Sequence, residues 1–131
     1  MAYAFNDDKS RFDLDLYGGQ LDTRVEIPNT STSSSNLVYG IDYTFGADGY
    51  LEISVSQDLS SATISNLEAL WLYGTDGTSA TGKRIHVPFP KSGGYVTIPV
   101  KKGMIFYGGL IFPAQSYKDS MTLTFIPLVA L

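Results

Sequence analysis

The chain has 131 residues, no cysteine, one histidine and a net charge of −4. That length suits one domain with a buried core. The missing cysteines exclude disulfides and thiol chemistry, and with a single histidine they leave no ligand set for a structural zinc. An acidic chain with few clustered bases argues against a nucleic-acid partner, and no apolar run approaches the ~18 residues of a membrane span.

The N-terminus, Met1 to Asp8, has neither a basic nor an apolar region, so no signal peptide is expected. Residues Met1 to Arg11 read as an arm. Phe12-Asp13-Leu14-Asp15-Leu16 alternates with period two and Gly18-Gly19 ends it. Leu21 to Ile27 alternates more weakly, and Pro28 stops it for want of an N–H. Thr30 to Ser35 is a polar Ser/Thr tract that reads as an exposed loop or linker. The expected division is an attachment segment over 1–35 and a β-sandwich body over 36–131.

The body reads as strand after strand. Leu37 to Phe45 and Tyr50 to Ser56 flank the turn Gly46-Ala47-Asp48-Gly49 and are expected to pair as a hairpin. Thr63 to Tyr73, with the only Trp, Trp71, is expected as a strand, with one or two helical turns over Asn66 to Leu72 as the alternative. After the Gly74 to Gly82 loop come Arg84 to Phe89, Tyr95 to Val100, Met104 to Phe112 and Met121 to Val129. Turns at this spacing predict an all-β, antiparallel, jelly-roll-like sandwich of about seven to nine strands. Leu51, Ile53, Val55, Val96, Ile98, Leu123 and Phe125 are expected to point inward.

Charge is segregated along the chain. Residues 27–80 carry Asp42, Asp48, Glu52, Asp58, Glu68 and Asp76 but no base, whereas 81–131 carry Lys83, Arg84, Lys91, Lys101, Lys102 and Lys118 with one acid, Asp119. The opposite charges pair either within the monomer, across strands, or between subunits.

No catalytic pattern stands out, and a non-enzymatic protein without cofactor or metal is expected. His86 sits mid-strand with no Gly-x-Ser-x-Gly elbow anywhere to serve. Asp13 and Asp15 share a strand face, the weak basis for a glycosidase pair, but solvated surface acids explain them equally well. Asn6-Asp7-Asp8, and Asp76 with Thr75 and Thr78, lack calcium-loop spacing. Aromatic platforms are the stronger signal, because a pyranose packs its apolar face on a ring. Tyr39, Tyr43, Tyr50, Trp71, Tyr73, Tyr95 and Tyr107 could supply a platform, with Trp71, Tyr73 and Tyr43 the ligand-binding candidates and core or subunit-interface positions the competing assignment. The Met104 to Phe112 strand is apolar on both faces, where a one-sided strand needs only one. Met104, Phe106, Tyr107 and Ile111 are therefore the candidates for an oligomer interface.

Three segments resemble the C-terminal β-sandwiches of bacteriophage fibre and appendage proteins: Ile41 to Tyr50 with its Ala-Asp-Gly-Tyr turn, Val96 to Gly103 with Pro-Val-Lys-Lys-Gly, and Leu123 to Leu128. Similar turns occur in jelly rolls of the tumour-necrosis-factor and complement type. Phe5 to Ser10 resembles the start of small phage structural proteins. The resemblance implies a homotrimeric virion component made in the host cytoplasm. With no long shaft before the body, it implies a head decoration or head-fibre protein, attached to a capsid or appendage protein through its N-terminal segment and facing outward. A Ser/Thr tract of six residues would span roughly 12–15 Å as a flexible coil, slack enough to bridge a symmetry mismatch. The alternative is a carbohydrate-binding module for a host-surface glycan or polysaccharide.

Overall fold

The protein was analysed as a computed structural model that describes residues 24–32, 37–75 and 83–128, together with the backbone of 5–6 and 11–12. The latter form β1 (Phe5–Asn6) and β2 (Arg11–Phe12), an antiparallel ladder with Phe5 opposite Phe12. The rest of the expected Phe12 to Leu16 strand lies outside the described residues, as do Asp7, Asp8, Asp13, Asp15, Asp76 and Thr78.

The remaining elements are β3 (Val25–Glu26), β4 (Val38–Thr44), β5 (Gly49–Val55), a 3-10 turn (Leu67–Ala69), β6 (Trp71–Tyr73), β7 (Arg84–His86), β8 (Gly94–Val100), β9 (Ile105–Ile111), α1 (Gln115–Asp119) and β10 (Met121–Pro127). They build two four-stranded antiparallel sheets, ordered β3-β10-β5-β8 and β4-β9-β6-β7. Strands pair as nested partners, β6 with β7, β5 with β8, β4 with β9 and β3 with β10. The chain is thus one long antiparallel ribbon rolled over itself, which is the eight-stranded jelly roll. Among the described residues no helix is long and apolar enough to cross a membrane.

Period-two sequence becomes period-two burial. In β5, Gly49, Leu51, Ile53 and Val55 are buried, and in β10 Met121, Leu123 and Phe125 face the same core. Val96 and Ile98 pack against it, partly buried. The opposing sheet contributes Ile41, Leu72, Phe106 and Leu110. One end is closed by three rings: Phe45 lies 5.0 Å from Phe125, and Tyr43 lies 5.3 Å and 6.1 Å from the two.

Three expectations need correction. First, β4 and β5 do not form a hairpin: they lie in different sheets. The intervening turn bonds outward rather than to itself. The Phe45 N–H donates to the Met104 carbonyl at 2.9 Å, the Leu128 N–H to the Asp48 carbonyl at 2.9 Å, and the Lys102 N–H to the Asp48 carboxylate at 2.9 Å. Gly49 allows the crossover, since a Cβ there would stand 2.2 Å from the Ile126 carbonyl oxygen.

Second, 63–73 is not one continuous strand: the alternative of a single helical turn holds, as a 3-10 turn over Leu67–Ala69. Ser65 bridges to Ile111, then Asn66 turns left-handed (φ 67°) into the 3-10 turn before β6 begins. Gly108 on β9 accommodates this bulge: its φ is +148°, and a Cβ there would lie 2.2 Å from the Ala69 carbonyl oxygen.

Third, the boundary expected at 35/36 falls inside the sandwich. β3 pairs with β10, and Ile27 is fully buried in the core. Asn29 then ties the chain along the free edge of β4. Its side chain accepts from the Gly40 N–H at 2.8 Å and donates to the Val38 carbonyl at 3.0 Å, covering an edge that would otherwise invite pairing.

Candidate functional site

Parity decides what the β4-β9-β6-β7 sheet shows to solvent. Ile41, Phe106, Leu110 and Leu72 point into the core, so Asp42, Tyr107, Ile111 and Trp71 point out. Register then aligns Asp42, Tyr107, Trp71 and His86 straight across the four strands, with Thr44, Ile105, Tyr73 and Arg84 as the next row.

The side chains of these rows engage one another. The Arg84 guanidinium carbon lies 4.1 Å from the Trp71 ring centroid, and its Nη1 donates to the Tyr73 hydroxyl at 3.2 Å. Trp71 meets His86 edge-on at 5.3 Å, and Tyr73 meets Tyr107 edge-on at 6.3 Å. His86 Nε2 sits 3.3 Å from the Leu67 carbonyl oxygen, so the 3-10 bulge braces the imidazole. Tyr73 is buried beneath this arrangement, while Tyr107 is 42% exposed.

A second surface lies at one end of the other sheet. Ile126, Tyr50 and Pro99 form a row across β10, β5 and β8. Tyr50 and Pro99, together with Leu128 and Met104, border a shallow depression of about 400 Å³, rimmed by Asp48 and Lys101. Tyr50 is 40% and Leu128 41% exposed. The middle of that sheet's outer face is polar, with Thr124 and Ser54 around an Arg24–Glu52 ion pair of 2.9 Å.

The structure divides the sequence-derived candidates. Of the ligand-binding set, Trp71 and Tyr73 share the aromatic face. Tyr43 does not, and this is a correction. It points inward among Phe45 and Phe125, and burial raises its hydroxyl pKa above the ordinary value. Of the interface set, Phe106 is 0% exposed and belongs to the subunit's own core, a second correction. Tyr107 and Ile111 lie on the outer face with Trp71, whereas Met104 borders the depression at the far end. Arg84 and Asp42 were not singled out in the sequence as site residues. Only cross-strand register brings Arg84 and Asp42 to the Trp71 face, and no local motif marks them.

Among the described residues no group of three or more His, Asp or Glu side chains converges as a metal site. No family model, curated protein or solved structure matches this chain.

Proposed function

We propose that the chain is a non-enzymatic, self-associating structural protein exposed on a bacteriophage particle, as a decoration or head-fibre component. The observation that carries the reading is the apolar row Ile126, Tyr50 and Pro99 continued by Leu128 and Met104, an exposed patch on a sandwich whose core is otherwise closed. Pro99 withholds an N–H from the edge strand β8, which disfavours strand addition. Association therefore proceeds by packing side chains of this face, most simply around a three-fold axis. The N-terminal segment is the proposed attachment element. A truncation that tests it must stop before Arg24, because removing β3 would bare one edge of β10.

Sedimentation velocity of the full chain at micromolar concentration tests self-association. The expected species is a trimer, and Tyr50→Glu or Leu128→Glu should convert it to a folded monomer. A wild-type protein that sediments as a monomer at that concentration ends this reading.

A second reading, a carbohydrate-binding module, is favoured by a different observation: the row Asp42, Tyr107, Trp71 and His86 on the opposite face. The two are compatible, because the surfaces belong to different sheets.

A further inference from the structure

We infer that the outer face of the β4-β9-β6-β7 sheet binds an acidic oligosaccharide, with the sugar ring on the exposed Tyr107 and its anionic group on Arg84, which Trp71 holds in place. The inference rests on the carbohydrate-binding reading and names its ligand class.

Arg84 carries the charge argument. A guanidinium has five N–H donors in a rigid fork. Here one is spent on the Tyr73 hydroxyl, the Trp71 ring fixes the plane, and no carboxylate among the described residues pairs with it. The fork is thus oriented before any ligand arrives, which lowers the entropy lost on binding. Lys83 lies exposed on the same edge of the sheet and adds a second positive charge beside Arg84. Burying an unpaired guanidinium under a neutral ligand would forfeit its hydration without replacement. A carboxylate or sulfate accepts two parallel N–H bonds and compensates it.

The rest of the row fits a sugar. Adjacent strands lie ~4.8 Å apart, so Asp42 to His86 spans on the order of 14 Å, room for more than one ring. Aromatic side chains in the middle suit the apolar face of a pyranose. At the far end the exposed Asp42 carboxylate has no hydrogen-bond partner among the described residues and is an acceptor for ligand hydroxyls. With Asp42 at one end of the row and Arg84 at the other, an acid group of the ligand is favoured at the Arg84 end and its hydroxyls at the Asp42 end.

Isothermal titration calorimetry of the full chain with oligogalacturonate, a heparin-derived oligosaccharide and maltohexaose tests this. The two acidic ligands separate carboxylate from sulfate as the source of charge, and the third is neutral. At least one acidic ligand should bind about tenfold more tightly than maltohexaose, and more weakly as salt is added. Arg84→Gln should remove that preference, bringing the acidic ligand to within about twofold of maltohexaose, and Trp71→Ala, which frees the Arg84 side chain, should weaken the acidic ligand likewise. Tyr107→Ser serves in place of Trp71→Ala if the latter melts early. Equal binding of neutral and acidic ligands, unaffected by Arg84→Gln, overturns the acidic preference but keeps the carbohydrate reading. Binding of none of the three overturns both. A change in sedimentation on Arg84→Gln, without glycan binding, assigns the face to a subunit contact and likewise overturns the inference.

Discussion

Gly108 and Gly109 are neighbours in one strand, yet an alanine at each should have opposite consequences. A Cβ on Gly108 would lie 2.2 Å from the Ala69 carbonyl oxygen, 3.1 Å from its carbon and 3.2 Å from the Leu70 Cα. All three are backbone atoms, so no rotamer change relieves the overlap. The φ of +148° adds conformational strain for any residue with a Cβ. Strain of this kind costs about 1–3 kcal/mol and overpacking about as much again, so Gly108→Ala should destabilise the fold by roughly 2–6 kcal/mol. At Gly109 the nearest atom to a Cβ is the Tyr39 carbonyl oxygen at 3.4 Å, ordinary contact. Gly109→Ala should stay within about 1 kcal/mol of wild type, since the entropy removed from the unfolded chain offsets mild crowding. Urea unfolding followed by the fluorescence of the single Trp71, at one protein concentration because association is linked to stability, measures both. Since a domain of this kind has only about 5–15 kcal/mol to lose, the difference should be large in the midpoint. A Gly108→Ala protein within about 0.5 kcal/mol of wild type, or two equal losses, would refute the placement of the 66–69 bulge against β9.

Three further outcomes follow from the same geometry. Phe106→Ala should cost about 3–5 kcal/mol in urea unfolding because the ring is fully buried, whereas an interface residue would instead change the oligomer's concentration dependence. Asn29→Ala should cost about 1–3 kcal/mol by releasing the hydrogen bonds to Val38 and Gly40, and light scattering should report aggregation through the uncovered β4 edge. Burial, and secondarily the Glu26 charge, push the Tyr39 pKa up to about 12, while its hydroxyl donates to the Ile27 carbonyl. The unfolded phenol ionises near its ordinary value of ~10. Unfolding therefore releases a proton between pH 10 and 12, and stability contributed by the neutral phenol falls across that window. Tyr39→Phe should be less stable at pH 8 but flatter between pH 10 and 12, and an unchanged alkaline slope would exclude Tyr39 as the cause.

The strands were legible where one face is apolar and the other is not. Tyr50 to Val55 alternates cleanly, and its buried positions are those the alternation marks. Pairing was not legible. Period two looks the same in a hairpin and in a crossover to the opposite sheet, so the β4–β5 turn misled where hydrogen bonds to Met104 and Leu128 decide. The inward setting of Tyr43 was available from parity, because Ile41 two residues earlier shares its face and Asp42 and Thr44 share the other. The β9 strand resisted the same logic: Phe106 and Leu110, or Tyr107 and Ile111, could have filled the core, and only the opposed strands choose. The 3-10 bulge depends on Asn66 adopting a left-handed backbone beside a glycine forty-two positions further along, a coincidence of tertiary structure rather than of local pattern. Arg84 over Trp71 is of the same kind, joining residues from adjacent strands separated by a loop.

The placement of the two surfaces bears on how the proposed roles combine. The apolar row of Ile126, Tyr50 and Pro99 lies on the β3-β10-β5-β8 sheet, and the Trp71 row on the sheet that covers its inner side. Assembly through the first leaves the second free on every subunit. A shallow aromatic face binds one saccharide weakly, because much of the ligand stays in water and few side chains are immobilised to hold it. Copies fixed in one oligomer convert later contacts with a repeating polysaccharide into intramolecular events, which can raise retention by about 10²–10⁴ without a new contact. The proposed self-association and the proposed glycan binding are therefore not rival uses of this sandwich: the first would supply the multiplicity that makes the second strong enough to hold a particle at a surface.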